Sequence, residues 1–468
     1  MRLTLLTVLV AVLLTSCSGE KGNYKAYTED ALLYCKTVKK LNDVVLENNF
    51  PPMIATRNYA YANIAAYETM AAGNADFVSL AGQVRGLTQM PKPVNEKEID
   101  FSFASLLSFC KVGNAVTFPE GSMMGYYDEL TKAATKAGMP DDVLENTIAW
   151  SDTVVASILK WSKADFYLQT RSAEKYTVRD EDGRWVPTPP MYAGAVEPKW
   201  NSIRCLAIDT CNQFMPIRPP VFNIKDTTSE YYGYLREVKA VGENLTDEQK
   251  HIADFWDDNP FKLVVNGHAM YATKKFSPSG HWMNIVGIAA SKSGADFATT
   301  VAAYTQTSIA LFDAFIACWD EKYRSNYIRP ETAINKYLGE DWRPYIQTPP
   351  FPSYTSGHAT ISAAAAEVMT KWFGDNLSFT DTSSLEFGIK SREIRSFRAA
   401  AQEAAMSRLY GGIHYRFDNE QGSVSGKRLG EFIVNKIRLR KTDAQYANRE
   451  AVPADTAVKP EANTRTVH

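Results

Sequence analysis

A proline-bearing loop runs into an alanine-rich helix in the stretch Phe351-Pro-Ser-Tyr-Thr-Ser356-Gly357-His358-Ala-Thr-Ile-Ser-Ala-Ala-Ala-Ala. Ser356 is a residue type that caps helix N-termini, and the predicted helix follows it at once. The first turn of a helix presents unpaired backbone N–H groups and the positive end of the dipole, so it can hold an anion. Gly357 lets an anion approach the backbone, Ser356 adds a hydroxyl donor, and His358 adds a titratable ring. In isolation, the stretch is also typical of an ordinary capped helix with a surface histidine.

Helical periodicity extends from this stretch through most of the chain. Apolar residues recur three and four apart, and the sequence contains no strand series of period two and no internal repeat. The segment from about 163 to 225 differs, because it is rich in Pro, Tyr and Trp and predicts irregular wrapping structure. The pattern predicts an all-α fold of two packed four-helix-bundle-like units, crossed by this proline- and aromatic-rich segment. The predicted helices cover 31–48, 51–70, 101–112, 121–137, 141–162, 228–243, 246–257, 281–291, 295–323, 359–373, 391–410 and 419–439.

The composition limits the classes of partner. The 468 residues include 51 Lys and Arg against 53 Asp and Glu, which gives a formal charge of −2. A nucleic-acid binder needs a basic surplus to displace counterions from phosphates, so we expect no nucleic-acid partner. A hydrophobic content of 45% excludes disorder as the main state of the chain.

The N-terminus has the pattern of a targeting signal. Arg2 precedes an apolar run over 3–14, which is too short to span a hydrocarbon core of about 30 Å. Leu14-Thr-Ser-Cys17 resembles the lipobox of bacterial lipoproteins, which implies cleavage before Cys17 and lipidation of that residue. We therefore expect a lipid-anchored protein of the cell envelope, periplasmic or on the outer membrane, that meets the membrane only through its anchor. In such an oxidising location, Cys205 and Cys211 are the locally plausible disulfide pair.

These patterns divide the chain into four parts. Residues 1–17 are the predicted lipoprotein signal, and 18–225 are an N-terminal helical part that includes the irregular segment. Residues 226–440 are a C-terminal helical part with the charged motifs. Residues 441–468 are polar with few apolar positions, so we expect a disordered tail.

A basic block precedes the alanine-rich helix. Lys322 and Arg329 are seven residues apart, or two helical turns, so both cations are expected to leave one helix face and to converge. Pro330 cannot continue a helix, which places Arg329 at a helix end where the chain can turn toward a pocket. A lone pair of this kind is more often a solvated basic face.

A third block follows the alanine-rich helix. Arg408 and His414 would face different ways on one continuous helix, but Gly411-Gly412 lies between them and allows a turn that brings His414 back beside Arg408. Asp418, four residues after His414, is placed to accept the second ring N–H and to fix the tautomer. Orientation of this kind suits an imidazole that acts as a nucleophile or as a metal ligand. A solvated cluster at a glycine-capped helix end is the alternative interpretation.

The three blocks occur in a fixed order that forms a specific pattern. The order resembles the signature shared by vanadium-dependent haloperoxidases and type 2 phosphatidic acid phosphatases, including the soluble bacterial acid phosphatases. The residues that flank the first two blocks are similar to those of bacterial haloperoxidase-like proteins in particular. The resemblance covers most of the chain, but only its last third carries the motifs. The blocks are Lys322-x6-Arg329-Pro330, Ser356-Gly357-His358 and Ser407-Arg408-x5-His414.

The resemblance implies a role for each of these residues. His414 would bond to the central atom of a tetrahedral oxyanion, either as the protein ligand of vanadate or as the nucleophile toward phosphorus. His358 would be the general acid or base. In a peroxidase, Lys322 would also polarise bound peroxide and Phe351 would line the halide side of the pocket. The oxyanion oxygens would be held by Lys322, Arg329, Arg408, Ser356 and the Gly357 amide.

Two further features concern the surroundings of the site. An acidic residue from an earlier segment often supports the arginines in this family, and Asp257 and Asp258 are the candidates. A second Ser-Gly-His occurs within Ser277-Pro-Ser-Gly-His281. It precedes the Lys322 block, whereas the family's element follows that block, so His281 is interpreted as a residue that packs near the site without entering it.

Two chemistries fit one site, because vanadate and phosphate share shape and charge. The chain length, the helical first half and the sequence around the first two blocks favour a vanadate-dependent haloperoxidase that uses peroxide to oxidise halide. The alternative is a soluble acid phosphatase that needs no cofactor and hydrolyses phosphomonoesters through a phosphohistidine. A third possibility is a lipoprotein that binds phosphate-like anions without turnover, which two titratable histidines disfavour.

Overall fold

The computed structural model describes residues 23–94, 96–117, 122–260, 263–266, 269–272 and 275–445. The predicted signal with Cys17 and the tail beyond residue 445 lie outside the described residues. Within them the chain is mostly helical, which confirms the predicted all-α class, and it has two small two-stranded antiparallel sheets. The helices are α1 Tyr24–Thr28, α2 Ala31–Glu47, α3 Pro52–Ala71, α4 Phe101–Val116, α5 Ser122–Lys136, α6 Asp141–Ser162, α7 Tyr167–Arg171, α8 Glu230–Glu243, α9 Asp247–Phe255, α10 Pro278–Ser293, α11 Phe297–Ser325, α12 Pro330–Leu338, α13 Gly357–Phe373, α14 Phe397–Tyr410 and α15 Arg416–Lys436. The strands are β1 Leu263–Asn266, β2 Ala269–Ala272, β3 Phe379–Asp381 and β4 Arg392–Ile394, and β1 pairs with β2 as β3 pairs with β4.

The central helix α11 is the longest element, with 29 residues, and it is buried along almost its whole length. Asp296 starts it by accepting a hydrogen bond from the backbone N–H of Thr299. It packs against α3 on one side and α13 on the other, so one continuous hydrophobic core joins residues from Leu33 to Leu439. By length and composition alone α11 could cross a membrane, but every residue of its most apolar window is buried inside the protein.

The backbones of α13 and α15 pack closely against each other. A Cβ atom added at Gly430 would lie 2.6 Å from the backbone oxygen of Ala364, and one added at Gly422 would lie 3.0 Å from that of Ser356. At Gly426 it would overlap the backbone of Thr360. Glycine at every fourth position therefore lets the two backbones touch, which fixes the start of α13 against the start of α15.

Three sequence predictions about secondary structure were wrong in detail. The predicted helix 391–410 begins only at Phe397, because residues 392–394 pair with 379–381 as β4 and bury Ile394. The helix α12 was not predicted, because Pro330 was treated only as a helix stop although proline also suits the first helical position. Residues Lys441–Gln445, placed in the disordered tail, form a short 3₁₀ turn in which Asp443 pairs with Lys371 at 3.0 Å.

The predicted irregular segment over 163–225 contains only α7 and one 3₁₀ turn, Trp200–Ser202, and otherwise wraps the helices as expected. Its backbone meets the core directly: the N–H groups of residues 206–208 donate to the buried carboxylate of Asp313 at 2.6–2.9 Å. The thiols of Cys205 and Cys211 in this segment are free, so the disulfide considered plausible from the sequence is not formed.

Candidate active site

The N-terminus of α13 forms one wall of a narrow cleft. Ser356 caps the helix by accepting a hydrogen bond from the backbone N–H of Ala359 at 3.4 Å. The amides of Gly357 and His358 therefore lie in the first turn, where a helix has no acceptor of its own for them. The backbone N–H of Ser356 donates to the carbonyl oxygen of Asp418 at 3.0 Å, which ties this turn to α15.

Lys322 and Arg329 come from different elements to the 351–353 loop, whose Phe351 lines the cleft. Lys322 lies in the last turn of α11, and its Nζ donates to the carbonyl oxygens of Pro352 and Ser353, both at 2.9 Å. Arg329 lies beyond the end of α11 and is the N-cap of α12, so the prediction that both cations share one helix face was wrong. They converge because Arg329 Nε donates at 2.9 Å to the carbonyl oxygen of Phe351, in the loop that also holds Lys322.

The two buried guanidinium groups donate to backbone carbonyls, and each has a further nitrogen donor that these carbonyls do not use. Arg329 Nη1 donates to Ile413 O at 2.7 Å, and Arg408 Nη1 donates to Trp256 O at 2.6 Å. In the part of the chain that the structure describes, the buried atoms Arg329 Nη2 and Arg408 Nε have no hydrogen-bond partner. A buried donor without an acceptor costs about 1–3 kcal/mol, so an oxyanion that accepts from both is favoured. Burial also lowers the pKa of Lys322 to about 7, because the ammonium loses its hydration.

His414 enters the cleft after the turn that ends α14. Gly412 adopts φ +77°, the left-handed region that glycine favours, and this turn brings the ring back toward α12. His414 Nδ1 lies 2.8 Å from Asp418 Oδ2, the contact that the spacing predicts, and His414 Nε2 lies 3.1 Å from Arg329 Nη1. A carboxylate acceptor at Nδ1 leaves Nε2 as the nitrogen with the lone pair. Sequence reasoning missed Ser353, whose Oγ donates to the same oxygen of Asp418 at 2.5 Å.

Burial and positive charge lower the pKa of both histidines in the cleft. The pKa of His414 lies well below its ordinary value because of burial and then the charge of Arg329. The pKa of His358 is lowered in the same way by burial and then by Arg408. Both rings are therefore neutral near pH 7, which suits one ring that bonds an electrophile and one that accepts a proton.

Two carboxylates lie behind His358. The Nε2 of His358 is 3.5 Å from Arg408 Nη1 and 3.9 Å from Asp258 Oδ2. Asp257 and Asp258 are both buried, and both offset the loss of hydration of the Arg408 cation. Of the two candidates, Asp258 lines the cleft.

Aromatic rings and prolines form the remaining walls. The ring centroid of Phe351 lies 5.0 Å from Lys322 Nζ and 5.1 Å from the guanidinium of Arg329, and 4.9 Å from the ring of Trp319. Sequence reasoning did not identify several wall residues, because they come from separate stretches that carry no motif. These residues are Pro52, Asn259, Pro260, Pro278, Phe315 and Pro349.

The second Ser-Gly-His does not reach the cleft. His281 is fully buried, with Nδ1 3.0 Å from Asp258 Oδ2 and Nε2 3.0 Å from Asp381 Oδ2. Its ring stacks on Trp256 with centroids 4.6 Å apart. His281 therefore packs behind Asp258, while His358 lines the cleft.

Comparisons with known proteins match the part of the chain that carries the three motif blocks. A family model described as the VCPO second helical-bundle domain matches residues 302–441, which contain all three motif blocks. A curated relative, the vanadium chloroperoxidase of Curvularia inaequalis, is 26% identical over 175 residues, which are 26% of this chain and 28% of the relative. The alignment thus spans little more than a quarter of that protein's length.

Two solved structures extend the similarity to the whole fold. A bacterial vanadium-dependent chloroperoxidase in its holo form has a TM-score of 0.62 at 17% identity, over 82% of this chain and 92% of that chain, which shows the shared fold. The first bacterial vanadium-dependent iodoperoxidase has a TM-score of 0.82 at 42% identity, over 87% of this chain and 97% of that chain. Similarity at that identity, over almost the whole of the solved chain, shows that this protein belongs to the vanadium-dependent haloperoxidases.

Proposed function

We propose that this protein oxidises halide with hydrogen peroxide at a vanadate bound in the cleft, and that iodide is the preferred halide. The observation that carries the proposal is the joint presence of a buried cationic cradle and a neutral His414 whose Nε2 faces it. An oxyanion binder needs the first of these features, whereas bonding to a central atom needs the second.

The donors of the cleft suit vanadate. Arg329 Nη2 and Arg408 Nε are buried donors without a protein acceptor among the described residues, and an oxyanion would supply the acceptors. Lys322, Ser356 and the Gly357 amide would bind further oxygens, and His414 would be the protein ligand. When bound, vanadate supplies Lewis-acid activation of peroxide.

The chain's own groups then hold and move protons. His358 is the most open titratable group at the site, with 14% of its side chain exposed, and as a neutral ring it accepts a proton from incoming peroxide through Nε2. Lys322 donates to the peroxide oxygen that becomes negative. The overall reaction balances as H₂O₂ + I⁻ + H⁺ → HOI + H₂O, so His358 returns the proton that it took from peroxide, and one further proton enters from solvent in each turnover.

Two observations support iodide as the halide. The relative that is 42% identical over nearly its whole length is an iodoperoxidase. In addition, Phe351, Trp319 and Phe315 give the cleft a polarizable apolar wall beside the cations. Iodide is the largest and least hydrated of the common halides, so it loses the least hydration energy on entering such a wall.

One assay series on the purified protein tests the proposal. We expect iodide oxidation by peroxide that requires orthovanadate, with weaker turnover of bromide and least of chloride. The variant His414→Ala should abolish it, whereas His251→Ala should not, because His251 is a half-buried histidine that contacts Lys390 and Arg392 and does not line the cleft. Hydrolysis of an aryl phosphate that vanadate inhibits, without any halide oxidation, would instead establish the phosphatase alternative. Tight phosphate binding without either activity would establish the binding protein.

We also propose that Cys17 anchors the protein in the cell envelope. The support is the lipobox-like sequence Leu14-Thr-Ser-Cys17 after a short apolar run. The full-length chain expressed in a bacterial host should fractionate with membranes and take up labelled fatty acid, and Cys17→Ser should do neither. A membrane-bound Cys17→Ser variant would contradict the proposal.

A further inference from the structure

A line of three buried ionisable groups leads from the small β3–β4 sheet to the cleft. Asp381, at the end of β3, has one carboxylate oxygen bound to the N–H of Ser383 at 2.9 Å and the other 3.0 Å from His281 Nε2. His281 Nδ1 lies 3.1 and 3.0 Å from the two oxygens of Asp258. The Oδ2 atom of Asp258 is in turn 3.9 Å from Nε2 of His358. One carboxylate oxygen is thus shared between the two histidines.

The two nitrogens of His281 both face carboxylates, which a neutral ring could satisfy at only one side. Burial opposes a charged ring, but the charges of Asp258 and Asp381 outweigh it and raise the pKa of His281 to about 10. Aromatic rings also surround His281: Phe255 is tilted and Phe276 edge-on, both at 5.3 Å, and Trp256 stacks on its face. His281 is therefore an imidazolium across the physiological range.

Among the described residues, further charged groups lie near the cleft end of this line. Arg408, from α14, faces Asp258 and Asp257 at the cleft end. Lys275 lies 4.0 Å from Asp257. The ring of His281 itself is bounded by the two carboxylates and the three aromatic rings.

We propose that His281, clamped between Asp381 and Asp258, is a positioning residue that holds the Asp258 carboxylate toward His358 and Arg408. An imidazolium that is hydrogen-bonded to carboxylates at both nitrogens holds Asp258 in one rotamer, because Nδ1 donates to Asp258 while Nε2 is held by Asp381. Asp258 then places its carboxylate 3.9 Å from His358 Nε2 and offsets the charge of Arg408. This inference rests on the proposed function for its kinetic consequence, since His358 is the proton acceptor in that reaction.

A double-mutant cycle tests whether His281 acts through Asp258. His281→Gln should lower kcat for iodide oxidation about tenfold to a hundredfold, the usual effect of losing a partner behind a site residue, with little change in KM for iodide. In an Asp258→Asn background the same change should have almost no further effect. An equal loss in both backgrounds would show that His281 acts independently of Asp258 and would overturn the proposal.

Two further variants separate positioning from folding. Ser277→Ala perturbs the start of the same helix without touching the three groups, and it should leave kcat unchanged; a loss like that of His281→Gln would overturn the proposal. Asp381→Asn is the second probe should His281→Gln fail to fold. It should lower kcat by a smaller factor, and again only when Asp258 is present.

A spectroscopic readout requires no variant activity. With only six histidines in the chain, the imidazole nitrogens of the wild-type protein can be followed by ¹⁵N NMR, and His281 should show both nitrogens protonated from about pH 6 to about pH 9. A neutral His281 at pH 7 would overturn the proposal. Failure of the wild-type protein to oxidise iodide would overturn the proposed function instead, and the positioning role would then be decided by this signal.

Discussion

The helix starts of α10 and α13 both contain Ser-Gly-His, at 279–281 and 356–358, but the tripeptide lies at different depths in the two helices. In α13 the motif serine is itself the cap, so its glycine and histidine occupy the first two helical positions. In α10 the cap is Ser277, which accepts from Gly280 N at 3.2 Å, and the backbone N–H of His281 already bonds to Ser277 O at 3.0 Å. The tripeptide in α10 begins two residues after the cap, so the amides of Gly280 and His281 already have acceptors and are not free to bind an anion.

The partners of the two rings differ as much as their depth. His358 faces Arg408, and burial with that charge lowers its pKa, so the ring is neutral. His281 faces Asp258 and Asp381, so its ring carries a positive charge despite complete burial. The same tripeptide thus gives a proton acceptor in one place and a fixed cation in the other, because the sign of the neighbouring charge decides the protonation state.

The largest expected difference between the two motifs is catalytic. His358→Ala should lower kcat for iodide oxidation about 10²–10⁴-fold, equivalent to about 3–5 kcal/mol of transition-state stabilisation, because it removes the proton acceptor. Its melting temperature should stay close to that of the wild type, since the ring lines an open cleft. Full activity of His358→Ala would mean that the tripeptide of α13 is structural.

Replacing the motif glycine should reduce stability more in α10 than in α13, whereas replacing the histidine of α13 should reduce catalysis. A Cβ atom at Gly280 would overlap the carboxamide oxygen of Asn42 and lie 3.1 Å from the hydroxyl of Tyr59, so Gly280→Ala should lower the free energy of unfolding by about 1–3 kcal/mol. A Cβ atom at Gly357 would lie 3.6 Å from Trp319, an ordinary contact. Gly357→Ala should therefore change stability by less than about 0.5 kcal/mol. Denaturant unfolding of both variants measures this, and equal losses would contradict the comparison.

The cleft beside α13 should bind anions in a pH-dependent way. Because burial lowers the pKa of Lys322 to about 7, its ammonium is lost as the pH rises through that value. Sulfate keeps a constant charge over this range, so its affinity should fall by up to about tenfold per pH unit above pH 7. Isothermal titration from about pH 6 to about pH 9 measures the slope, and Lys322→Met should flatten it.

In the ligand-free protein, the contribution of Lys322 to the free energy of unfolding should rise with pH, whereas the anion affinity should fall. Between about pH 7 and the ordinary lysine pKa, the unfolded chain binds more protons at Lys322 than the folded chain does, so the contribution of this residue to stability rises with pH. Below about pH 7 the full penalty of a buried ammonium is present. Unfolding of the wild type against Lys322→Met isolates this contribution, and a wild-type curve that runs parallel to the variant would contradict it.

The smallest expected effects concern the two caps. Ser277→Ala and Ser356→Ala each remove one cap hydrogen bond, so each should lower the free energy of unfolding by about 1 kcal/mol. Only Ser356→Ala should also weaken binding of phosphate or vanadate, because Ser356 directly precedes Gly357 and His358, which line the cleft. Equal anion affinity in the two variants would remove Ser356 from the oxyanion site.

The sequence was most informative where a local rule operates. The 3.6-residue period located most helices, the Ser356 cap located the start of α13, and the spacing of His414 and Asp418 gave the contact that orients the ring. It was misleading where a local rule was extended too far. Lys322 and Arg329 do converge, but through carbonyls of the 351–353 loop and not along one helix.

Chain order and residue type therefore determined the helical class, the family resemblance and the set of charged groups that meet at the cleft. Only the tertiary structure decided which groups are neutral, which are charged and what lies behind them. Ser353, Asp381 and the cleft walls come from stretches without a motif, and their contacts depend on packing between distant segments. Protonation follows burial and the sign of neighbouring charge, and both are properties of the folded core, so identical tripeptides at 279–281 and 356–358 could be told apart chemically only once that core was known.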